Sequence, residues 1–368
     1  MTPGARRVTP RVHGGADLRS FADAAFDVVG AAPGAGVPGM HHLWEVGGTA
    51  WAFCGSSPAF GRILERGFGP GLRHVPDVPG ADLFTIHCVD GGGLRERLRP
   101  PPVRALAVTA PDPSRRLWQA PGIRVVHQLR EDILTVLDLR NRRALVQVPD
   151  PAGLPYYEQA APMRGLLHGL MASVHRSLIH GAVIGTAAGG VLLAGPSGSG
   201  KSTTALAGLV AGMHFAGDDY VLVDNCEYPR AYGLYASVKV ARKDLARCAG
   251  LDAELANPAG PPEEKGVFFL DREPPGFRSG LQLRAIVLPR ITRDAMHVRP
   301  CAPARALREL APATLFQIVG DREPLFEHCT RLVRQLPAFM LDTGPRTDHF
   351  ERDVARTISG LLDGIAGA

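Results

Sequence analysis

Hydrophobic and polar residues follow a strand-like pattern in the N-terminal part of the chain. Short apolar runs bounded by Gly and Pro predict β-strands at HHLWEV, TAWAFCG and ADLFTIHCVD. The runs IRVVHQL, DILTVLDL and RALVQV are separated by short polar turns and predict a β-meander. We therefore expect a β-rich domain over residues 1–150, in which residues 1–40 are partly loose and residues 95–116 form an irregular connector.

Strand and helix patterns alternate in the C-terminal part. A helix is predicted within residues 155–177. The apolar residues that recur there at helical spacing are Met163, Leu166, Leu167, Leu170, Met171 and Val174. The runs SLIHGAVIG and VLLAG flank TAAGG and predict a β-hairpin, which TTALAGLVAGM follows as a helix. Further strands are predicted at YVLVD, GVFFL, LQLRAIVLPRI and PAFMLDT, and further helices at APARALRELA, PLFEHCTRLVRQL and DHFERDVARTISGLLDGI, the last with an Asp cap. This alternation predicts an α/β domain over residues 151–368.

The composition is that of an ordinary globular protein, with 45% hydrophobic and 21% charged residues. The net charge of +5 is mild and the basic residues are scattered, so nucleic-acid binding is not indicated. The six cysteines form no CxxC pair, which predicts reduced thiols rather than a zinc site or a disulfide framework. The chain shows neither a signal-peptide pattern nor an apolar run of about 18 residues. These features predict a soluble, cytoplasmic protein with no nucleic-acid or membrane partner.

The second strand of the hairpin runs directly into GPSGSGKS, which fits the phosphate-loop pattern G-x-x-x-x-G-K-[ST]. Glycines let the backbone turn its N–H groups toward a phosphate, and the following helix adds the partial positive charge of its N-terminus. The lysine supplies charge for the β and γ phosphates, and the last serine can ligate Mg²⁺. The predicted nucleotide-binding residues are Gly195, Pro196, Ser197, Gly198, Ser199, Gly200, Lys201, Ser202 and Thr203.

Three carboxylates follow the loop by one helix, and the residues alone leave three interpretations open. Asp224 ends the run YVLVD and can be a Walker B carboxylate that holds Mg²⁺ through water. In the second interpretation, Asp218 and Asp219 face the terminal phosphate. One of them then accepts the proton of an attacking hydroxyl, while the other holds the metal or orients the first. In the third interpretation, GDD is a solvated turn.

The segment from residue 180 to residue 219 resembles the catalytic core of HPr serine kinase/phosphorylase and its relatives. In that family a strand carrying His-Gly precedes a short hairpin, the hairpin enters a G-x-S-G-x-G-K-S loop, and Asp-Asp follows one helix later. This chain carries HG at 180–181, GPSGSGKS at 195–202 and GDD at 217–219, with similar spacings. The weaker match RAIVLPRI, at 284–291, resembles a strand of kinase-like relatives.

The resemblance implies an α/β fold with a P-loop kinase core of the HPr-kinase/phosphoenolpyruvate-carboxykinase type, preceded by the β-rich domain. It implies that the loop and Lys201 bind ATP, and that Ser202 and Asp218 hold Mg²⁺. Asp219 is then the best candidate for the general base, with Asp218 as its partner. His180 approaches the same site, where an imidazole would tune the pKa of the pair or contact the γ-phosphate.

The acceptor implied by the resemblance is a hydroxyl group, expected to be a serine of a peptide or protein. The second signature of the family, a Gly-Glu/Asp-Arg-Leu-Leu-Glu-Ile-like segment, is replaced by NCEYPRAYGLYASVKVARKDL. The match is therefore closer to HPr-kinase-like proteins of natural-product pathways, some of which resemble kinases of a serine in lasso peptide precursors. An HPr-type serine kinase regulator is an alternative. HPr kinases form hexamers, so a homo-oligomer is one expected state.

Two further function classes remain open from the sequence. A P-loop ATPase or switch protein would use Asp224 and hydrolyse ATP without a phosphorylated acceptor, and a nucleotide-binding regulator would bind ATP without turnover. Outside the motifs, Lys239 and Lys243 are interpreted as parts of a solvated face, with contact to the nucleotide or to an acidic acceptor as the alternative. Arg290 is interpreted as a surface strand end rather than as a cation for the transferred phosphate.

Overall fold

The computed structural model describes residues 6–8, 17–30, 41–55, 57–76, 83–91, 96–101, 107–108, 114–248, 251, 253–318 and 322–367. The protein is a mixed α/β structure with several sheets. The chain divides into two compact units, Met1–Glu65 with Leu72–Leu170 and Arg66–Gly71 with Met171–Ala368. Within the described stretches, no helix combines the length and the apolar character needed to cross a membrane.

The elements up to residue 172 are mostly strands. The strands are β1 Arg6–Val8, β2 His41–Val46, β3 Thr49–Gly55, β4 Arg73–Val75, β5 Phe84–Asp90, β6 Glu96–Leu98, β7 Ala107–Val108, β8 Arg115–Ala120, β9 Ile123–Gln128, β10 Ile133–Asp138 and β11 Arg143–Val148. The helices are α1 Asp17–Gly30, α2 Pro58–Phe68, α3 Tyr156–Ala160 and α4 Arg164–Ala172, with a 3-10 turn at Gly69–Gly71.

A nine-stranded sheet in the order β4-β2-β3-β5-β11-β10-β9-β8-β7 forms the centre of the first unit. Strands β8 to β11 are the predicted antiparallel meander, and β5 joins β11 and β3 in parallel. Helix α1 buries Phe21 and Ala25 in one core with Trp118 and Val125 of the meander. Removing this apolar surface from water is the main favourable contribution to the stability of the unit.

The expectation of loose structure in residues 1–40 is wrong for α1. Leu18, Phe21, Ala25 and Val29 recur at helical spacing and are all buried, which is the amphipathic pattern that identifies a helix. The other residues of this segment, apart from β1, lie outside the described part of the chain. Within the predicted connector 95–116, β6, β7 and the start of β8 are strands, and residues 95, 102–106 and 109–113 lie outside the described residues.

The second unit alternates strands and helices, as the sequence pattern predicts. Its strands are β12 Arg176–Ile179, β13 Ala182–Thr186, β14 Gly189–Leu193, β15 His214–Gly217, β16 Val221–Asp224, β17 Arg230–Gly233, β18 Ser237–Ala241, β19 Ala253–Leu255, β20 Lys265–Leu270, β21 Leu281–Arg290, β22 His297–Pro300 and β23 Ala338–Asp342. Its helices are α5 Lys201–Val210, α6 Pro303–Leu315, α7 Arg322–Gln335 and α8 Phe350–Ala366, with a 3-10 segment at Arg242–Cys248.

A mixed sheet in the order β12-β16-β17-β21-β14-β13-β15 holds this unit together. Strands β14, β21 and β23 run parallel, while β13 pairs antiparallel with β14 and with β15. Strand β22 extends the sheet beyond β23, and β18, β20 and β19 form a separate three-stranded sheet. The central strands β13 and β14 are buried on both faces, which explains their nearly continuous apolar sequences.

Three local predictions for this region are wrong. The run SLIHGAVIG is two strands, because β12 pairs with β16 while β13 pairs with β14. Helix α4 ends at Ala172, so Val174 is 42% exposed instead of continuing the apolar face. Helix α8 begins after His349 without a side-chain cap, so the predicted Asp cap is absent from this described helix end.

The hairpin that leads into the phosphate loop requires glycine at Gly185. A Cβ at this position would lie 2.7 Å from the Cα of Gly190 and still closer to the carbonyl oxygen of Gly189, both of which are backbone atoms of β14. We expect Gly185→Ala to lower the free energy of unfolding by about 1–3 kcal/mol, because the paired strands have to separate. Urea unfolding of the purified protein measures this change.

Gly360 provides the matched control for this substitution. It lies on the exposed side of α8, where an added Cβ meets no atom within 4 Å. Gly360→Ala should raise the free energy of unfolding by about 0.5–1 kcal/mol, because alanine loses less backbone entropy on folding. Equal stability of the Gly185→Ala protein and the unsubstituted protein would contradict the close approach of β13 and β14.

Candidate active site

Three adjacent strands bring the predicted residues to one edge of the sheet. Strand β13 lies between β14 and β15, and Ala182 at its start is paired with Leu193 at the end of β14. The next residue of β13 is paired with the last residue of β15. The phosphate loop follows β14, His180 lies two residues before Ala182, and Asp218 directly follows β15. The register of the ladder therefore gathers all three segments at the same place.

Glycines and a buried lysine give the phosphate loop its shape. Gly195, Gly198 and Gly200 have φ values of 139°, 83° and 110°, a region that disfavours any side chain. The ammonium of Lys201 donates hydrogen bonds to the carbonyl oxygens of Gly195 at 2.8 Å and Pro196 at 3.1 Å. Lys201 is only 7% exposed, so the loop curves around a buried cation at the start of α5. This arrangement has the charge and the backbone shape that a phosphate group needs.

The first turn of α5 is anchored by Arg346, which the sequence analysis did not consider. Its guanidinium donates to the Thr203 hydroxyl at 3.3 Å and forms an ion pair with the buried Asp244. The contact fixes a residue of the predicted nucleotide site from the loop that precedes α8. Of the other predicted loop residues, the exposed ones are Pro196, Ser197 and Gly198, and the partly buried ones are Ser199, Gly200 and Ser202.

The two aspartates after β15 differ in their partners. Asp218 is 1% exposed, and its Oδ2 accepts a hydrogen bond from the backbone N–H of Lys239 at 3.1 Å. Its Oδ1 is buried and has no partner at full hydrogen-bond distance among the described residues, although the Ser202 hydroxyl is near enough to act on the carboxylate and lower its pKa. Asp219 has a φ of 70°, which is uncommon outside glycine, and its Oδ2 lies 2.5 Å from the ammonium of Lys239. An unpartnered buried oxygen is unfavourable in isolation, so Oδ1 of Asp218 marks a position for a ligand atom or a proton.

The interpretation of Lys239 as part of a solvated face is wrong. Lys239 is 9% exposed, and strand β18 directs its N–H to Asp218 and its ammonium to Asp219. The residues around it in β18 are buried, so an isolated lysine in an apolar strand was the signal in the sequence. Lys243 is exposed, as expected.

His180 lies against the carboxylate pair. It is 8% exposed, and its Nδ1 is 3.7 Å from Oδ1 of Asp219, which is beyond hydrogen-bond distance. Its backbone N–H donates to the Thr314 hydroxyl of α6 at 3.2 Å, and its ring meets that of Tyr220 edge to face. Burial lowers the pKa of His180 to about 4, with the charge of Asp219 opposing the shift, so the imidazole is neutral at pH 7.

The environment separates the proton affinities of the two aspartates. Burial raises the pKa of Asp218, and the negative charge of Asp219 raises it further. Burial alone would also raise the pKa of Asp219, but the charge and the hydrogen bond of Lys239 outweigh it and hold that pKa well below its usual range. Burial lowers the pKa of Lys201, and the charges of both aspartates oppose this shift. Asp219 is therefore the fixed negative charge of the pair, and Asp218 is the stronger proton acceptor.

No protein-family model matches the chain, and no curated protein is found to match it. The chemistry of the site therefore rests on its own residues. In the described part of the chain, no three or more His, Cys, Asp or Glu side chains are grouped so as to hold a metal ion. The predicted ligands Ser202 and Asp218 are one hydroxyl and one carboxylate. Such a small set is typical of Mg²⁺ that is bound mainly through substrate phosphates.

Asp224 occupies a different environment from the other two carboxylates. Its side chain is 2.7 Å from Nε of Arg176 and accepts a hydrogen bond from the Tyr232 hydroxyl at 3.0 Å. It ends β16, whereas Asp219 precedes that strand, and a strand advances about 3.3 Å per residue. These contacts give Asp224 a structural role in the sheet and remove support from its interpretation as a Walker B residue. Arg290 is a half-exposed strand end, as predicted, and is paired with Asp342 at 2.7 Å.

The backbone of Asp224 is also bound by His328, which gives a pH-dependent stability. The Nε2 of His328 lies 3.1 Å from the carbonyl oxygen of Asp224, and burial lowers the pKa of this imidazole to about 4. The unfolded chain therefore binds one more proton than the folded protein between about pH 6.5 and pH 4. Stability from this group is complete above pH 6.5 and falls by about 3 kcal/mol as the pH decreases to 4.

Urea unfolding at a series of pH values measures this loss. In the His328→Gln protein, where the side-chain amide can still donate to the same carbonyl, the slope of unfolding free energy against pH should decrease by about 1.4 kcal/mol per pH unit in that window. His180 acts in the same direction and retains its own contribution in this variant. An unchanged slope would show that His328 is not buried in its neutral form.

Proposed function

We propose that the protein is an ATP- and Mg²⁺-dependent kinase that transfers the γ-phosphate to a hydroxyl group. The observation that carries the proposal is the meeting of the phosphate loop and the carboxylate pair at one edge of the sheet. The charges of Asp218 and Asp219 both act on Lys201, so the three groups share one electrostatic environment. A phosphate-binding cation beside a proton acceptor is the minimum arrangement for phosphoryl transfer to a hydroxyl.

ATP fits the loop by charge and by backbone shape. Lys201 and the N-terminus of α5 would hold the phosphates, and the glycines at the positive φ values leave room for the backbone to approach them. Ser202 lies in the first turn of α5, next to the lysine, where its hydroxyl would hold the Mg²⁺ of the nucleotide. The ion, when bound, would neutralise charge on the phosphate oxygens.

The partners of the two aspartates favour Asp218 as the general base. Its unpartnered Oδ1 and its raised pKa suit a group that receives a proton, whereas Asp219 is already paired with Lys239. This assignment reverses the order that the resemblance implies, and it takes Asp218 out of the predicted Mg²⁺ ligands, so that Ser202 is the ligand we propose from the protein. Asp219 would hold Lys239 in place and keep the neighbouring carboxyl a strong acceptor, and neutral His180 would lie beside Asp219 without adding a positive charge.

The acceptor that we propose is a serine hydroxyl of a peptide or protein, such as a lasso-type precursor peptide. The mixed sheet, the hairpin before the loop and the HG and GDD motifs support a core of the HPr-kinase type. The β-rich first unit is a candidate for acceptor recognition. An ATPase without an acceptor is the alternative, and it has less support because Asp224 is engaged by Arg176 and Tyr232.

The experiment that tests the proposal follows the γ-phosphate. The purified protein is incubated with Mg²⁺, γ-labelled ATP and a library of serine-containing peptides, and the label is separated into peptide and free phosphate. We expect label on peptide serine, and none there when Lys201 is replaced by alanine. If the label appears only as free phosphate, at the same rate with and without peptide, the kinase proposal fails and the ATPase alternative takes its place.

A further inference from the structure

Lysines are concentrated at the candidate site. Only four of the 41 Lys and Arg residues of the chain are lysine. Lys201 is in the phosphate loop, and Lys239 forms an ion pair with Asp219. The charge of Lys265 contributes to lowering the pKa of Asp219, whereas Lys243 is an exposed surface residue. In a chain that otherwise uses arginine for its positive charges, three of four lysines at one site indicate that the site needs a compact ammonium group.

The register of the three-stranded sheet places Lys265 beside Lys239. Lys239 of β18 is paired with Val267 of β20, and Lys265 is two residues before Val267 on the same strand. Side chains two residues apart in a strand point to the same face, and diagonal neighbours across a ladder lie about 7–8 Å apart. The two lysines therefore extend from one face, and Lys239 reaches Asp219 from it.

Lys265 differs from the other two lysines because its ammonium has no hydrogen-bond or ion-pair partner among the described residues. Lys201 donates to two loop carbonyls, and Lys239 is 2.5 Å from Asp219. The side chain of Lys265 is partly buried, so it is neither fully solvated nor paired. Burial is the main cause of the lowered pKa of His180, and the charge of Lys265 contributes to the same shift, which agrees with the position that the strand register gives to Lys265.

The charges of the site sum to an excess of positive charge. Three ammonium groups face at most two negative carboxylates, those of Asp218 and Asp219. The nearby Glu309, which approaches Gly195, is paired with Arg305 and adds no net charge. A partly buried cation without a counter-charge is unfavourable, so the site is completed by an anion.

We propose that Lys265 binds the terminal phosphate of the nucleoside triphosphate that the loop holds. The inference rests on the proposed function for the identity of the anion. Lys201 would contact the phosphate from the loop, and Lys265 would contact it from the face of the three-stranded sheet that carries Lys239. Two ammonium groups would then face the negative charge that the terminal phosphate itself carries.

The test compares the binding of ATP and ADP, because only ATP carries the phosphate in question. Calorimetry with the full-length protein and Mg²⁺ should show that Lys265→Met weakens ATP binding about tenfold and leaves ADP binding unchanged, since one charge-assisted contact is lost. Lys265→Arg retains the charge and should recover part of the preference for ATP. Thermal unfolding of both variants verifies that they are folded.

Lys243→Met is the matched control, because it removes the same charge from an exposed position outside the site. It should bind both nucleotides as the unsubstituted protein does. Three results would overturn the proposal. Lys265→Met weakens the binding of ATP and ADP equally, Lys265→Met leaves the affinity for ATP unchanged, or Lys243→Met has the same effect as Lys265→Met. If the unsubstituted protein binds ATP but transfers no phosphate to an acceptor, the kinase proposal fails while the Lys265 comparison remains decisive. If it binds neither nucleotide, both proposals fail.

Discussion

Replacement of Lys201 by alanine is expected to abolish nucleotide-dependent phosphate transfer. The buried ammonium of Lys201 is bonded to the carbonyl oxygens of Gly195 and Pro196, so it both shapes the loop and supplies its central charge. Without it, the γ-phosphate loses a preorganised positive contact at the stage when charge moves toward the leaving oxygen. We expect the rate of transfer from γ-labelled ATP to fall by about a thousandfold.

The control for this prediction separates charge from folding. Lys243→Ala removes an exposed lysine and should transfer phosphate at the rate of the unsubstituted protein. Lys201→Arg keeps the charge, but the larger planar guanidinium cannot occupy the same buried position, so activity should remain low. Unfolding temperatures show whether each variant keeps its structure. A Lys201→Ala protein that is folded and fully active would remove the phosphate loop from the mechanism.

Replacement of Asp218 by asparagine is expected to stop the chemical step and leave ATP bound. Asparagine has nearly the same shape and can still accept the hydrogen bond from the N–H of Lys239 through its oxygen. It cannot take a proton from an attacking hydroxyl. Loss of a general base lowers a rate by about 10²–10⁴-fold, and we expect transfer to fall within that range.

Asp219→Asn is the matched variant, because it changes the neighbouring residue in the same way. It removes the partner of Lys239 and thereby alters the charge around Asp218. We expect a smaller loss of transfer, about tenfold, because the proton acceptor itself remains. Calorimetry of ATP binding by both variants distinguishes a loss of chemistry from a loss of nucleotide. A more severe defect in Asp219→Asn than in Asp218→Asn would restore Asp219 as the base.

Local patterns in the sequence predict most elements of the second unit. The apolar runs of β13, β14, β21 and β23 and the helical spacing of α5 to α8 are each set by residues close in the chain. The phosphate loop is predictable for the same reason, because its glycines and its lysine all lie within the short segment GPSGSGKS. The part of the hairpin prediction that concerns the site is confirmed, because β14 pairs with β13 and leads into the phosphate loop.

Contacts between distant residues explain what the sequence does not predict. Lys239 is 20 residues from Asp219, and the apolar run around it indicates burial but does not identify the carboxylate that it contacts. The roles that we propose for Asp218 and Asp219 depend on which carboxylate binds the N–H of Lys239 and which binds its ammonium, and these contacts belong to the tertiary structure. Helix α1 was not predicted for a different reason. The amphipathic pattern over Asp17–Gly30 lies in a segment rich in Gly and Pro, and that composition favoured an irregular structure.

A crystal structure with Mg²⁺ and a non-hydrolysable ATP analogue tests the central claim most directly. The distance to measure joins Oδ1 of Asp218 and the phosphorus of the terminal phosphate. The account predicts about 6 Å or less, which is the span of one attacking hydroxyl that is hydrogen-bonded to the base and in line with the phosphorus. A terminal phosphate more than about 10 Å from Oδ1 of Asp218, too far for a single hydroxyl to bridge, would contradict it.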